Sequence, residues 1–234
     1  MKKVIFLTLG LLASNITFSQ GTFKPTAGDM TFDLSFDSPF SSSKPISLIN
    51  GFKYRYFLSE TYAFRSNLNI TSNKNKSIVY GLDDQGNTDY GMKGISTSKN
   101  LDLNLRLGIE KHLNGTDRLD PYLGADLILG LNSIKSERDK NNSGTYQNDY
   151  EYSSKQLSSN LGLSLIAGFD FYLVENIYFG TEFGLTYNTS FSGDEEIKET
   201  SAGTSTETIN KSSGSLTSIV TGMTTGAFRI GYRF

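Results

Sequence analysis

The chain has 234 residues, with 22 Lys and Arg against 24 Asp and Glu, and its formal net charge is -2. This balance excludes a protein that binds nucleic acid through a basic surface, and a mean hydropathy of -0.31 excludes one with several membrane-spanning helices. Cysteine is absent, which excludes a disulfide framework and a thiolate site. The 16 Phe, 13 Tyr and 23 Gly against only 4 Pro favour strands and turns.

The first residues have the layout of a secretory signal. Lys2 and Lys3 precede an apolar run over residues 4–13, and Thr17 and Ser19 occupy the -3 and -1 positions before a cleavage site. The apolar run is too short to span a bilayer as a helix. We therefore predict a signal peptide over residues 1–19 and a single domain over residues 20–234.

Eight later segments alternate apolar and polar residues with a period of two, which is the pattern of strands with two chemically different faces. In chain order the apolar faces are Met30, Phe32, Leu34 and Phe36; Leu48, Phe52, Tyr54, Tyr56 and Leu58; Phe64, Leu68 and Ile70; Leu101, Leu103, Leu105, Leu107 and Ile109; Leu123, Ala125, Leu127, Leu129 and Leu131; Leu161, Leu163, Leu165, Ala167, Phe169 and Phe171; Phe179, Phe183, Leu185 and Tyr187; and Leu216, Val220, Phe228, Ile230, Tyr232 and Phe234.

The opposite faces of these segments carry both signs of charge together with small residues. Charges are stable in a narrow interior only when they are paired and hydrogen-bonded. We predict a charge network in the lumen of a barrel, made of Asp33, Lys53, Arg55, Arg65, Asp102, Arg106, Asp126, Asp170, Glu182 and Arg229. Arg106, Asp126 and Glu182 are the members expected first, because each lies near mid-strand. Glycines on the same face, such as Gly108, Gly180 and Gly184, are expected to make room for the long charged side chains.

The connections alternate in length. Short turns are predicted around residues 59–60, 114–120 and 174–176, and long polar loops over 72–98, 134–156 and 192–215, with a connection of middling length over 37–45. This asymmetry indicates an all-β fold, an eight-stranded antiparallel up-and-down transmembrane β-barrel. Aromatic residues near the short turns are expected to form an interfacial girdle: Tyr56, Tyr62, Tyr122, Phe169, Phe171, Phe179, Tyr232 and Phe234.

The sequence resembles the small outer-membrane β-barrel proteins of Gram-negative bacteria, of the OmpA/OmpX type and of the barrel family common in Bacteroidetes. The most specific feature is the terminal strand with Phe228, Ile230, Tyr232 and Phe234 on one face. In that family this pattern is the signal that the barrel-assembly machinery reads. The resemblance implies the cell outer membrane as the location, and outer-membrane lipid, lipopolysaccharide and the assembly machinery as partners. It does not imply a biochemical activity.

The candidates for chemistry are few. His112, the single histidine, falls at the periplasmic rim, whereas lipid-modifying barrels carry their His, Ser and carboxylate on the lipid-facing or extracellular side. No Ser and Asp partner is indicated for it, so we predict a protein that is not an enzyme. The acidic stretch 192–215 is expected to be a solvated loop rather than a divalent-cation site, and no cofactor or metal is expected. Tyr146, Tyr150 and Tyr152 are typical either of an adhesive surface or of a protruding hairpin.

We therefore expect a monomeric outer-membrane protein of structural or surface-interaction type, whose long loops would bind any extracellular ligand. A narrow, porin-like pore for small solutes or ions is the alternative. A lipid-modifying enzyme is disfavoured by the position of His112. A secreted soluble β-sandwich or lipocalin-like barrel would not account for the charged inward face.

Overall fold

The computed structural model describes residues 23–36, 51–212, 216–221 and 227–234, which are organised as antiparallel strands. The predicted signal peptide, the connection 37–45 and Leu48 lie outside the described residues. No helix in the described part of the chain is long and apolar enough to cross a membrane. The strands are β1 (Met30–Phe36), β2 (Gly51–Phe57), β3 (Tyr62–Leu82), β4 (Thr88–His112), β5 (Leu119–Asn142), β6 (Thr145–Val174), β7 (Ile177–Ser201), β8 (Thr204–Asn210), β9 (Leu216–Thr221) and β10 (Ala227–Arg233).

The strands close into a ring. Consecutive strands from β1 to β7 pair with their neighbours, and β10 pairs with both β7 and β1. The closing register places Phe32 opposite Tyr232 and Leu34 opposite Ile230. β9 pairs with β7 further along the same strand, so β9 and β10 together provide the eighth member of the ring. Where β10 pairs with both β7 and β1, the described wall has no open sheet edge, which is the condition for a sheet inside a bilayer. The predicted eight-stranded antiparallel barrel is confirmed.

The polarity of the barrel is inverted relative to a water-soluble domain. Outward side chains are apolar and exposed, for example Leu163 at 62%, Leu165 at 64% and Ile109 at 59%, whereas the interior buries charged residues such as Arg55 and Glu110. Since exposed leucines in such numbers would be unfavourable in water, this surface fits a hydrocarbon environment. One aromatic residue departs from the predicted girdle: Tyr122 is only 1% exposed and points into the lumen.

The stretches predicted as long loops are mostly strands. Residues 72–98 continue β3 and β4 into a paired hairpin, residues 134–156 do the same for β5 and β6, and β8 forms a hairpin with β7 within residues 192–215. Neighbouring hairpins also pair with each other, since Ile95 of β4 lies opposite Asp139 of β5 and Tyr150 of β6 lies opposite Ser201 of β7. The outer part of β3 to β8 is therefore one continuous six-stranded sheet, which we call the outer sheet.

Two tight turns end the outer sheet. Ser143 and Gly144 connect β5 to β6 with φ values of 51° and 100°, and Ala202 and Gly203 connect β7 to β8 with φ values of 50° and 77°. Two consecutive positive φ angles define a type I′ turn, whose twist matches that of the flanking strands. Glycine adopts the second position without a steric penalty. These turns allow the polar segments to pair along their length instead of forming open loops.

Candidate functional site

The lumen holds a compact cluster of buried charges close to the short-turn end of the barrel. It contains four cations and five carboxylates joined by ion pairs, which we call the plug: Lys53, Arg55, Arg65, Arg229, Asp33, Glu110, Asp126, Asp170 and Glu182. Eight strands contribute to it, β1 to β7 and β10. Period-two alternation places each of these side chains inside, and the antiparallel registers bring distant parts of the chain to one height.

Arg55 lies at the centre of the plug and uses every part of its guanidinium. Nη1 lies 2.6 Å from the Asp170 carboxylate and 3.2 Å from Glu110. Nε donates to the Thr31 hydroxyl at 2.9 Å, and Nη2 donates to the Tyr178 hydroxyl at 2.6 Å. Five donors in a planar fork suit arginine to such multiple pairing, and the side chain is completely buried.

Arg229 on β10 joins the ends of the chain to this centre. Its Nη1 lies 2.7 Å from Asp33 on β1, and its Nη2 lies 2.9 Å from Asp170 on β6. The same Nη2 also donates to the Tyr122 hydroxyl. Gly180, directly opposite Arg229 across β7 and β10, leaves the space that the guanidinium occupies, because a Cβ there would lie 2.6 Å from Nη2.

Lys53 and Arg65 form the second half of the plug. Lys53 Nζ contacts Glu110 at 2.5 Å and Glu182 at 3.2 Å. Arg65 binds the same two carboxylates, at 2.9 Å to Glu110 and 2.8 Å to Glu182. Its Nε lies 3.1 Å from Asp126, although neither atom has hydrogen-bond geometry in this contact. Sharing of carboxylates between cations makes the plug one network rather than a set of separate pairs.

Two tyrosines that the sequence did not assign to the network complete it. The Tyr178 hydroxyl donates to Asp33 while accepting from Arg55. The Tyr122 hydroxyl donates to Glu182 at 2.9 Å while accepting from Arg229. Each phenol thus links a cation to a carboxylate. Tyr122 lies on the polar face of its alternating segment, which is the one sequence signal for its position.

The structure brings together eight of the ten residues predicted for the network. Asp102 and Arg106 lie outside the plug: Asp102 accepts hydrogen bonds from Asn104 and Asn132, and Arg106 makes no ion pair with any described residue. Glu110, which sequence reasoning left out of the network, instead binds three of its cations. The strands are staggered around the barrel, so a mid-strand position does not fix the height of a side chain.

Beyond the plug, towards the outer sheet, the lumen is lined largely by amide side chains and is partly accessible. Asn104 donates to the Asp102 carboxylate, and Asn160 donates to the amide oxygen of Asn104. Asn132 donates to the amide oxygen of Asn100 at 2.8 Å. Asp102 and Arg106 are half-buried in this layer. The lumen is therefore divided into a polar, partly open outer half and a tightly paired inner half.

The periplasmic end is closed by a second set of contacts. His112 is 4% exposed, and its Nδ1 lies 2.8 Å from Asp120, so the expectation that it lacks an Asp partner is wrong. Its ring packs between Phe57 and Tyr122. No serine hydroxyl is bonded to the ring among the described residues, so the pair lacks a nucleophile of the Ser-His-Asp kind.

The segment before β1 covers the same end of the barrel. Arg233 donates to the backbone oxygens of Phe23 and Lys24 at 3.2 and 2.6 Å, and the Arg118 guanidinium lies 4.4 Å from the Phe23 ring. Gly28 N–H donates to the Phe57 oxygen at 2.8 Å. These contacts hold residues 23–29 across the periplasmic mouth.

The terminal residues named as an assembly signal all face outward. Phe228, Ile230, Tyr232 and Phe234 are between 41% and 61% exposed, and Tyr232 and Phe234 stack at 6.0 Å. Arg229 and Arg233 on the opposite face point inward. The terminal strand therefore presents a continuous apolar face to lipid.

The acidic stretch near the β7–β8 hairpin is paired with lysines. Lys211 lies 2.8 Å from Asp194, and Lys198 lies 3.1 Å from Glu207. Within the described ranges no group of three or more His, Asp or Glu side chains is arranged to hold a metal ion. Tyr146, Tyr150 and Tyr152 belong to the β5–β6 hairpin, where Tyr150 is buried and the Tyr146 ring lies against Gly81.

A closed antiparallel ring of eight strands with a polar interior and an apolar exterior defines an outer-membrane β-barrel protein. The chain belongs to the OmpA-OmpF-like porin family, whose model matches residues 37–211. Among solved structures it is similar to the crystal structure of Ail, the attachment invasion locus protein of Yersinia pestis, with 13% sequence identity, a TM-score of 0.39 and coverage of 89% of this chain and 100% of that chain. No curated protein matches the chain.

Proposed function

We propose that the protein is a non-conducting outer-membrane barrel of structural or surface-interaction type, which anchors the outer sheet above the membrane. The observation that carries this proposal is the plug. Its side chains come from opposite walls of the lumen and are almost fully buried, with Lys53, Arg55 and Asp170 at 0% exposure. Eight strands leave an interior just wide enough to be filled by side chains.

An ion that crossed the lumen would have to separate these pairs. Removing one partner of a buried ion pair leaves the other charge uncompensated, at a cost of about 3–5 kcal/mol. Here each central cation binds two or more carboxylates, so opening a path would interrupt several pairs together. The segment 23–29 across the periplasmic mouth adds a second barrier. A closed lumen is the expected resting state.

The outer sheet is the part suited to surface contacts. Its hairpins are paired along their length, so they are ordered before any partner arrives and binding would not have to order them. Tyr90 is 75% exposed, and its ring packs 5.0 Å from that of Tyr80 near the end of the β3–β4 hairpin. Exposed tyrosines on an ordered strand provide contact area at little cost in side-chain entropy. An extracellular ligand would bind here.

Single-channel recording in a planar lipid bilayer tests the closed lumen directly. Refolded protein, verified by the different gel mobility of unboiled and boiled samples, is expected to be silent. Arg65→Ala removes the cation that binds Glu110, Asp126 and Glu182 and is expected to produce discrete steps. Arg106→Ala, which removes a lumen arginine outside the plug, is the matched control and is expected to stay silent. Reproducible steps from the unmodified protein would overturn the proposal.

A narrow pore for small solutes or ions is the second candidate. It is favoured by the porin description of the family and by the half-buried Asp102 and Arg106 in the outer half of the lumen. Under this hypothesis the plug would have to rearrange. Conductance steps from the unmodified protein that change or disappear in Arg106→Ala would support the pore.

Several further properties belong to the same proposal. The protein would be exported by a signal peptide over residues 1–19, recognised by the barrel-assembly machinery through the outward face of β10, and surrounded by outer-membrane lipid and lipopolysaccharide as a monomer. It would not be an enzyme. His112 supports this last point, because its ring is buried on the periplasmic side, between Phe57 and Tyr122, away from the outer leaflet.

A further inference from the structure

Four lysines lie in one cross-strand row on the outer surface of the barrel wall. Lys74 of β3 is directly opposite Lys99 of β4, Lys99 is opposite Lys135 of β5, and Lys135 is opposite Lys155 of β6. Directly opposite residues in a sheet point to the same face. Strands lie about 4.8 Å apart, so the row spans roughly 14 Å along the barrel wall. We call it the lysine row.

The row lies immediately beyond the apolar band. On β4 and β6, the residue two positions closer to the membrane centre than the lysine is Leu101 or Leu157, respectively. On β3 and β5, the residue four positions closer is Ile70 or Leu131, respectively. All four of these apolar side chains are exposed, between 47% and 53%. Period-two geometry places them on the same face as the lysines. The ammonium groups therefore lie at the boundary between hydrocarbon and water, on the side of the long hairpins, which is the outer leaflet in this class of barrel.

The charges of the row are only partly neutralised within the protein. Glu137 is shared, since both Lys99 and Lys135 donate hydrogen bonds to it, and these bonds hold the pKa of Glu137 below its ordinary value of 4.5. Lys74 and Lys155 are exposed and lie within ion-pair distance of no carboxylate among the described residues. Glu196, opposite Lys155, adds one more negative charge. Four lysines thus face two carboxylates.

Like charges directly opposite each other destabilise a sheet unless a counter-charge lies between them. We propose that the lysine row binds the phosphate groups of an anionic lipid in the outer leaflet, as a fixed lipid site on the β3–β6 wall. The position of the row favours a lipid over a soluble anion, because the acyl chains of a lipid would lie on the exposed leucines below it. This inference rests on the membrane orientation of the fold and is independent of whether the lumen conducts.

Nanodiscs of stated composition test the proposal. The full-length protein is placed in phosphatidylcholine discs with or without a minor share of diphosphorylated lipid A, and the temperature at which the folded gel band disappears is measured. Lipid A is expected to raise this temperature. The variant with Lys74, Lys99, Lys135 and Lys155 all changed to Gln is expected to lose the increase and to bind lipid A at least about tenfold more weakly.

Two controls separate a specific site from general charge. Changing four lysines that lie away from the row to Gln (Lys24, Lys93, Lys111 and Lys211) removes the same total charge and is expected to preserve the effect of lipid A. Glu137→Gln removes the internal counter-charge and is expected to strengthen binding. Inorganic phosphate at the same phosphate concentration is expected to have no effect, since it lacks the acyl chains.

The outcomes are decisive in both directions. An equal response of the row variant and the control variant, or an effect of inorganic phosphate as large as that of lipid A, would overturn the proposal. If the fourfold variant does not fold, the pair Lys74→Gln and Lys155→Gln provides the test, because neither lysine has an internal ion pair to lose. A row variant that keeps the full lipid A response would also overturn it.

Discussion

Asp33 on β1 and Arg229 on β10 form a buried ion pair at 2.7 Å, between residues 196 positions apart in the chain. The two residues lie on the two strands that close the ring, so the pair joins the barrel at its seam. Six backbone register pairs between β1 and β10 accompany it. The seam is thus held by backbone hydrogen bonds in the wall and by the Asp33–Arg229 ion pair in the lumen.

The seam contact predicts the effect of Arg229→Met. The substitution leaves Asp33 and Asp170 buried with fewer partners, so the free energy of unfolding is expected to fall by about 3–5 kcal/mol. Urea unfolding in detergent micelles, followed by far-ultraviolet circular dichroism, measures this change. Lys198→Met, which removes an exposed pair with Glu207, is the control and should leave the unfolding curve almost unchanged. A comparable shift for both variants would contradict the role of the seam contact.

Gly231 on β10 lies under the ring of Tyr178, directly opposite it across β7 and β10. A Cβ at Gly231 would lie inside the contact distance of that ring, whereas a Cβ at Gly184 would meet its nearest atoms, in Ile166 and Ser164, at 3.4 Å. Gly231→Ala is therefore expected to destabilise the barrel by about 1–3 kcal/mol. Gly184→Ala, the matched control, is expected to be neutral. Equal unfolding midpoints for the two variants would show that Tyr178 can move aside.

The outward face of β10 predicts different effects in the cell and in the test tube. If Phe234 is part of an assembly signal, Phe234→Asp should lower the amount of folded protein in the outer membrane several-fold. Refolding of the same variant from urea into detergent micelles should be nearly normal, because the backbone of Phe234 still pairs with Met30. Poor refolding in micelles would instead make Phe234 a stability residue, and an unchanged cellular yield would remove it from the signal.

The Asp194–Lys211 contact in the outer sheet predicts a pH dependence. The hydrogen bond from Lys211 holds the pKa of Asp194 below its ordinary value of 3.8, and the same contact raises the pKa of Lys211 above 10.5. The stabilisation from Asp194 is present above pH 3.8 and is lost as pH falls through its folded value. The contribution of Lys211 is present below pH 10.5 and is lost as pH rises through its folded value.

Carboxyl-carbon NMR titration of the full-length protein measures this directly. Asp194 should titrate below 3.8 in the unmodified protein, and Lys211→Met should move its midpoint upwards, towards 3.8. Lys198→Met, which affects a different pair in the same hairpin, should leave Asp194 unchanged. A midpoint that does not respond to Lys211→Met would mean that the contact is not maintained in solution.

Alternation was enough to predict the barrel wall, because lipid on one side and a polar lumen on the other impose a period of two on segments such as 101–109. The outer sheet lacks this signal. Both of its faces meet water, so Ser, Asn, Lys and Thr occupy either side, and a polar composition resembles that of a loop. The turns Ser143-Gly144 and Ala202-Gly203 were the available cue, since glycine suits the second position of a type I′ turn.

The plug could be predicted as a set of residue types but not as a geometry. Alternation assigns Arg65, Arg106 and Glu110 to the same inner face, yet only the register between strands decides which of them meet. β3 and β4 place Arg65 opposite Gly108, so its side chain reaches Glu110 and Asp126, while Arg106 lies opposite Asn67 and Ile128, further along the barrel axis. Stagger between strands is a property of the whole ring, so no single segment of sequence contains it.

The long sequence separations within the plug determine when it can form during folding. Asp33, Tyr178 and Arg229 come from the first, seventh and last strands of the ring, so their contacts cannot exist until the whole sheet has curled and its two ends have met. Contacts between distant parts of a chain form slowly because loop closure must come first. The pairing of Asp33 with Arg229 and Tyr178 is thus a late folding event. Until then its carboxylate would have only Arg55 of the neighbouring strand, 3.7 Å away, as a counter-charge, which would delay passage of β1 into the bilayer until β10 is in place.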